Sequence, residues 1–234
     1  MDDVTRKTWF ITGTDTEIGK TYVSTRLLTA LNNAKMPANG YKPVASGCEM
    51  TPIGLKNPDA YGHLTASFDE LRYEEVNPFF FEAEEAPHIL ADQLGQPITF
   101  DKITAGLHHL EAKYRITLVE GAGGWYTPLN FEKSYSDWVI ENQLPVIVVV
   151  GLKLGVINHA RLTFEAIEHA GLKVTGWVAN HLSDSPSLQN YIAGIQAFTD
   201  IPMIGEIPFK AEMAQGEYSE DDKDKAYFDL SYFQ

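Results

Sequence analysis

Six short apolar runs recur along the chain: Thr8–Thr12, Gly40–Val44, Ile116–Val119, Pro145–Val150, Val174–Ala179 and Met203–Ile207. Several are nearly continuous and rich in Val and Ile, the pattern of strands covered on both faces. Between them lie stretches of helical period. After Gly19 the apolar positions are Val23, Leu27, Leu28, Leu31 and Ala34, and after Thr99 they are Ile103, Leu107 and Leu110. After Gly155 they are Ile157, Ala160, Leu162, Phe164 and Ile167, and after Ser187 they are Tyr191, Ile195 and Phe198. Each set forms one stripe at helical spacing. Strand alternating with helix calls for parallel pairing through right-handed crossovers. The expected fold class is α/β, a single doubly wound, mainly parallel sheet with helices on both faces. Residues 1–212 are expected to form this domain. Residues 213–234 are expected to form an acidic C-terminal tail, part of the same domain or mobile, around the charge run Ser219–Lys225.

Charge narrows the function. The 234 residues carry 18 Lys and Arg against 32 Asp and Glu, a net charge of −14. A nucleic-acid binder needs a basic face to displace phosphate counterions, and the longest basic cluster here is Arg6-Lys7. The single Cys excludes an intramolecular disulfide framework and a Cys-built zinc site. The opening residues MDDVTRK lack the apolar run of a signal peptide, and Val146–Val150 is far too short to span a bilayer. The expectation is a soluble cytoplasmic protein with no nucleic-acid or membrane partner.

The first strand runs into Gly13-Thr14-Asp15-Thr16-Glu17-Ile18-Gly19-Lys20-Thr21, which opens the first helix. Glycines let backbone N–H groups close on an anion, the helix N-terminus adds positive potential, and the Lys reaches the outer phosphates. The hydroxyl of Thr21 then stands where such sites hold Mg²⁺. The loop has five residues between its glycines where the common motif has four. Glu120 leaves an apolar strand into Gly121-Ala122-Gly123-Gly124, at a strand carboxyl end where ligands sit in open α/β sheets, and is the acidic candidate for the metal. Asp59, in Lys56-Asn57-Pro58-Asp59, reads on its own as a helix-capping residue. Lys42, within Gly40–Gly47, either snorkels to the surface or faces a site holding anionic intermediates. Cys48 has no evident base and reads as a packing residue. The seven His form no recognisable metal set, with His108 and His109 adjacent and so pointing differently on a helix.

The motifs TGTDTEIGKT, GYKPVASG, VEGAGGW-TPL, LPVIVVVG-KLG-INHA, GWVAN and GEIP occur in this order. From Phe10 to about Glu212 the chain resembles the dethiobiotin synthetases, a family of P-loop NTPase fold whose phosphate loop also has the five-residue gap. The resemblance implies an ATP- and Mg²⁺-dependent ring closure in biotin biosynthesis. CO₂ or bicarbonate supplies a carbamate on one amine of 7,8-diaminononanoate, the carbamate takes the γ-phosphoryl group, and the second amine displaces phosphate. By the same resemblance Lys42 and Lys20 are catalytic, and Thr21, Asp59 and Glu120 hold Mg²⁺. Glu17, Ile18, Gly19, Lys20, Thr21 and Tyr22 surround the ATP phosphates. Asp59, Glu120, Gly121, Ala122 and Gly123 complete the nucleotide site, with Asn180, Pro208, Phe209 and Lys210 at adenine. Thr16, Ser46, Val156 and Asn158 contact the diamine, the last two from the loop Gly151–Asn158 of a second subunit in a homodimer.

Two other classes share such a loop. Regulatory P-loop ATPases that position DNA or membrane complexes carry a second Lys early in the loop, where this chain has Thr14. An interaction module that has lost turnover would be expected to lose Lys20, Thr21, Lys42, Asp59 or Glu120, all of which are present. A paralogous copy acting on a related substrate has the same motifs.

Overall fold

The Val-rich runs lie side by side because each is apolar on both faces and can be buried only inside a sheet covered twice. The computed structural model describes residues 7–209 and 227–234. In chain order its first half contains β1 (Lys7–Gly13), α1 (Lys20–Asn33), β2 (Ala38–Tyr41), β3 (Val44–Ala45), β4 (Glu49–Thr51), β5 (Gly54–Lys56), α2 (Pro58–Ala66), α3 (Tyr73–Val76), β6 (Phe79–Phe80), α4 (Pro87–Gln93) and α5 (Phe100–Lys113). The second half contains β7 (Ile116–Glu120), α6 (Tyr135–Glu141), β8 (Val146–Leu152), α7 (Val156–His169), β9 (Val174–His181), α8 (Leu188–Gln196) and β10 (Met203–Ile207). Six strands form one parallel sheet in the order β10-β9-β8-β1-β7-β2. The expected α/β class and doubly wound sheet are what the structure contains.

Alternate residues of the strands feed two cores. Phe10, Val119, Val146, Val148 and Val150 face one apolar layer with Leu107, Trp138, Phe164 and Ile195. Trp9, Ile11, Ile147 and Val149 face the other, with Val23, Leu27, Leu28 and Leu31 of α1. Three details depart from the apolar pattern. Gly40–Val44 is not one strand: Pro43 has no N–H for a ladder and restricts Lys42 before it. The chain therefore leaves β2 at Tyr41 and re-enters as β3, which pairs with β6. Leu162 is 58% exposed, because the buried stripe of α7 runs through Val156, Ala160, Phe164 and Ile167, and a residue two positions from 160 and 164 lies on the opposite side. Phe198 falls beyond the end of α8 and is partly exposed.

Of the expected tail, 213–226, including Ser219–Lys225, lies outside the described residues. The end of the chain is seated on the α1 side of the sheet. Phe228 bridges to Gly205, and Phe233 meets the Trp9 ring edge-on, 4.9 Å between centroids. Lys7 Nζ donates to the Gln234 carbonyl. Among the described residues no helix is long and apolar enough to cross a membrane.

Candidate active site

All of the candidate positions on the main sheet leave it at strand carboxyl ends, so the fold gathers them along one edge. β1 ends in the phosphate loop, β2 in Lys42, β7 in Glu120, β8 in Gly151–Gly155, and β9 and β10 at Asn180 and Ile207. The ends of β1, β2 and β7 frame a cleft of about 710 Å³. Its walls include Thr16, Glu17, Gly19, Lys20, Thr21 and Tyr22 from the loop and α1, Lys42 and Ser46 after β2, and Asp59 at the start of α2. Glu120, Ala122, Gly123 and Thr127 close the β7 side, and Glu84, Glu85, Ala86 and Pro87 form the opposite lip.

Contacts within the protein fix the shape of the loop. Glu17 and Gly19 lie in the left-handed region (φ 55° and 81°), and Gly19 is the N-cap of α1. A Cβ on Gly19 would lie 2.3 Å from Asn180 Nδ2, so only glycine fits there. Asn180 Nδ2 donates to the Ile18 carbonyl at 2.8 Å and pins the loop to β9. The Ile18 side chain is fully buried in the α1-side core, which leaves only its backbone at the site. Lys20 Nζ donates to the Asp15 carbonyl at 2.9 Å, across the loop it belongs to. Asp15 also accepts from the Thr16 N–H and pairs with Lys153 Nζ at 2.6 Å, joining this loop to the one after β8.

Glu120 is the electrostatic centre. Its side chain is fully buried and its two oxygens have different partners. Oε1 accepts from Thr21 Oγ1 at 2.7 Å and pairs with Lys42 Nζ at 2.5 Å. Oε2 accepts from Ser24 Oγ at 2.5 Å and lies 2.7 Å from His63 Nε2. Lys42 also lies 3.5 Å from Asp59 Oδ2 and donates to the Gly121 carbonyl at 3.3 Å. Its backbone is fixed from α3, with the N–H donating to Val76 O and the carbonyl accepting from Asn77 Nδ2. Asp59 reaches the site because Asn57 caps α2, accepting from the Ala60 N–H, and Pro58 takes the first turn. Burial opposes the charge on Glu120, but Lys42 and His63 outweigh it and hold the carboxyl well below its usual range. Burial also opposes the Lys42 ammonium, and Glu120 and Asp59 overcome it, raising its pKa. Among the described residues Lys20 has no carboxylate at contact distance. Burial, then repulsion from Lys42, lowers its pKa to about 8.

Sequence reasoning therefore named residues that the fold brings together: Lys20, Thr21, Lys42, Asp59 and Glu120. The choice left open for Lys42 falls on the side of the site. Asn180 sits behind the phosphate loop, and Ile207 pairs with it, so Pro208 and Phe209 leave the sheet beside it. Lys210 lies outside the described residues. Val156 and Asn158 are not brought to the cleft of their own chain: Val156, the first residue of α7, is buried in the core, and Asn158 is exposed, as is Leu154 at 87%. Ser24, His63 and Lys153 were missed. For His63 the one available signal is helical spacing, since it falls four positions after Asp59 on α2.

A family model described as an AAA domain matches residues 7–216. The parallel sheet is shared with the MinC:MinD cell division protein complex of Aquifex aeolicus (TM-score 0.55, 13% identity, 89% of this chain and 84% of that one). It is shared also with a ParA family ATPase from Chlorobium tepidum TLS (TM-score 0.54, 12% identity, 91% and 88%). At that identity the likeness concerns the P-loop fold alone. Sequence relatives are much nearer. The chain is 49% identical over 207 residues to the ATP-dependent dethiobiotin synthetase BioD of Pseudescherichia vulneris, covering 88% of this chain and 86% of that protein. It is 50% identical over 192 residues to the Serratia marcescens enzyme of the same name (81% and 85%). To ATP-dependent dethiobiotin synthetase BioD 1 of Escherichia coli (strain K12) it is 48% identical over 217 residues (91% and 96%). With a phosphate loop of the length and order that the resemblance called for, and relatives at this identity along most of both chains, the chain belongs to the ATP-dependent dethiobiotin synthetase family.

Proposed function

We propose that the cleft closes the ring of dethiobiotin from 7,8-diaminononanoate and CO₂ at the expense of ATP, as a step of biotin biosynthesis. The observation that supports this most is the meeting of Lys20, Thr21, Lys42, Asp59 and Glu120, from four separate parts of the chain, around one cleft. The carboxylates of Asp59 and Glu120 converge on a single cation, the Lys42 ammonium, and Thr21 Oγ1 donates to the same Glu120 oxygen. Among the described residues no cluster of three or more His, Cys, Asp or Glu could bind a metal unaided. Two carboxylates and a hydroxyl suit Mg²⁺, which keeps waters and takes phosphate oxygens as its other ligands. Mg²⁺ held there supplies charge neutralisation on the phosphate oxygens.

The chain's own groups do the rest. One amine of the diamine adds to CO₂ and loses a proton, giving a carbamate. A carbamate oxygen then bonds to the γ-phosphorus as the bond to ADP breaks. The second amine attacks the carbamoyl carbon and loses a proton, and the C–O bond breaks to release phosphate. Negative charge accumulates on carbamate and phosphoryl oxygens, so positioned cations and N–H groups are what the reaction needs, and no protein nucleophile is required. Lys42, kept charged by Glu120 and Asp59, faces the migrating phosphoryl group. Lys20 swings from the Asp15 carbonyl to the outer phosphates, and Glu17–Tyr22 line the rest of the triphosphate. Gly121–Gly123 wall the β7 side, and Thr16 and Ser46 face the diamine. With Nδ2 of Asn180 given to the loop, its Oδ1 is the atom offered to the adenine amino group, beside Pro208–Lys210. Cys48, whose thiol burial pushes up, takes no covalent part.

The exposed Leu154, Gly155 at the N-cap of α7 and Asn158 belong, in this reading, to the interface of a cytoplasmic homodimer, each copy completing its partner's diamine site. The test is product formation: ADP release that requires both diaminononanoate and bicarbonate, with dethiobiotin identified by mass. ADP release that ignores the diamine contradicts the proposal.

A further inference from the structure

His63 belongs to no motif of the chain, yet its ring is fully buried against the most charged residue of the cleft. Room for it exists because residue 40 is glycine: a Cβ there would lie 2.4 Å from His63 Nδ1. Nε2 lies 2.7 Å from Glu120 Oε2 and 3.1 Å from Ser24 Oγ. An ionised carboxylate only accepts, so Nε2 carries the proton toward it. In a neutral ring Nδ1 is then the bare nitrogen, and among the described residues it has no hydrogen-bond partner. The single proton of such a ring thus serves the contact with Glu120.

That contact divides the Glu120 carboxylate. Ser24 and His63 occupy Oε2, and Thr21 and Lys42 occupy Oε1. His63 is also one helical turn from Asp59 on α2, so one face of that helix reaches both sides of the site. We propose that His63 is a positioning residue: it fixes Oε1 of Glu120 toward the cation site and, through α2, holds Asp59 in register with it. The inference rests on the reading that Thr21, Asp59 and Glu120 hold the divalent cation.

The test compares His63→Gln with His63→Asn. The Gln amide nitrogen falls near the place of Nε2 and can still donate to Glu120, whereas the Asn amide stops short by one carbon. Mn²⁺ is titrated into each protein saturated with a non-hydrolysable ATP analogue, and free Mn²⁺ is read by electron paramagnetic resonance. His63→Asn should bind Mn²⁺ roughly 10–100-fold more weakly, the usual loss for an outer-shell partner. His63→Gln should stay within about threefold of the parent by keeping that hydrogen bond. Binding of the analogue in EDTA should be the same in both. Melting temperatures are recorded alongside, since a merely structural role would lower both without separating their Mn²⁺ affinities. Parental Mn²⁺ affinity in His63→Asn, or equal losses in the two variants, overturns the proposal. Glu120→Gln separates it from the reading beneath. If that variant loses Mn²⁺ and His63→Asn does not, only the positioning role fails; if Glu120→Gln binds Mn²⁺ normally, the metal site and the positioning role fail together.

Discussion

Replacing Lys42 by Met keeps most of the side-chain length and removes the charge that Glu120 was buried against. Glu120 is fully buried and Lys42 nearly so, 2.5 Å apart. Breaking a buried pair by removing one partner costs roughly 3–5 kcal/mol. Thr21, Ser24 and His63 still face the carboxylate, which places the loss at the lower end, about 3 kcal/mol. For a chain of this size that is a fall in melting temperature of roughly 6–12 °C. Glu120→Gln alone leaves the Lys42 charge with the Gly121 carbonyl and with Asp59, 3.5 Å away and half exposed, and should cost a similar amount. The double variant buries neither charge. Its destabilisation should fall short of the sum of the singles by about 2–3 kcal/mol. Urea unfolding without nucleotide or metal, followed by the fluorescence of the buried Trp138 and Trp177, measures all four proteins. Additivity within about 0.5 kcal/mol would refute the buried pair as the organising contact of the site. The same single variant tests chemistry. Lys42→Met should keep ATP affinity while turnover falls by roughly 10²–10³, because its charge meets charge formed during transfer. Equal losses in affinity and turnover would make Lys42 an ordinary nucleotide contact.

Lys20, with its pKa lowered to about 8 by burial and by Lys42, should gain a proton when triphosphate binds. Its ammonium is present below that value and lost above it, so metal-free ATP affinity should fall as pH rises through about 8. Calorimetry at pH ~9 in buffers of different ionisation enthalpy should register uptake of close to one proton, and the absence of uptake with flat affinity contradicts the assignment. If the loop before α7 and the first turn of that helix serve the partner's site, Lys42→Ala and Asn158→Ala proteins that are each nearly inactive should recover on mixing. Full subunit exchange should then restore roughly a quarter of parental activity, since half the dimers are mixed and hold one intact site in two. No recovery despite proven exchange excludes the shared site.

The sheet was legible because its strands are apolar on both faces, which leaves a parallel, twice-covered sheet as the consistent arrangement. The phosphate loop was legible because Gly, Lys and Thr at fixed offsets have one physical use at a strand–helix junction. Lys42 was ambiguous, since an apolar run says nothing about which way a Lys points. Its direction is set by Glu120, 78 residues away, and by α3. His63 was invisible for a related reason: a search for metal-binding His patterns discards a His whose partner is a carboxylate on another strand. The displaced strand at Pro43 and the exposed Leu162 show the limits of reading apolar spacing alone.

The central claim is that a carbamate oxygen, steadied by protein cations, attacks the γ-phosphorus. Freshly dissolved C¹⁸O₂ supplied with ATP, Mg²⁺ and diaminononanoate, in a reaction kept short against exchange with water, tests it directly. The account predicts one ¹⁸O in each phosphate released with dethiobiotin and one in the ring carbonyl. Phosphate free of ¹⁸O, formed in step with dethiobiotin, would mean that another group takes the phosphoryl group, and would contradict the account.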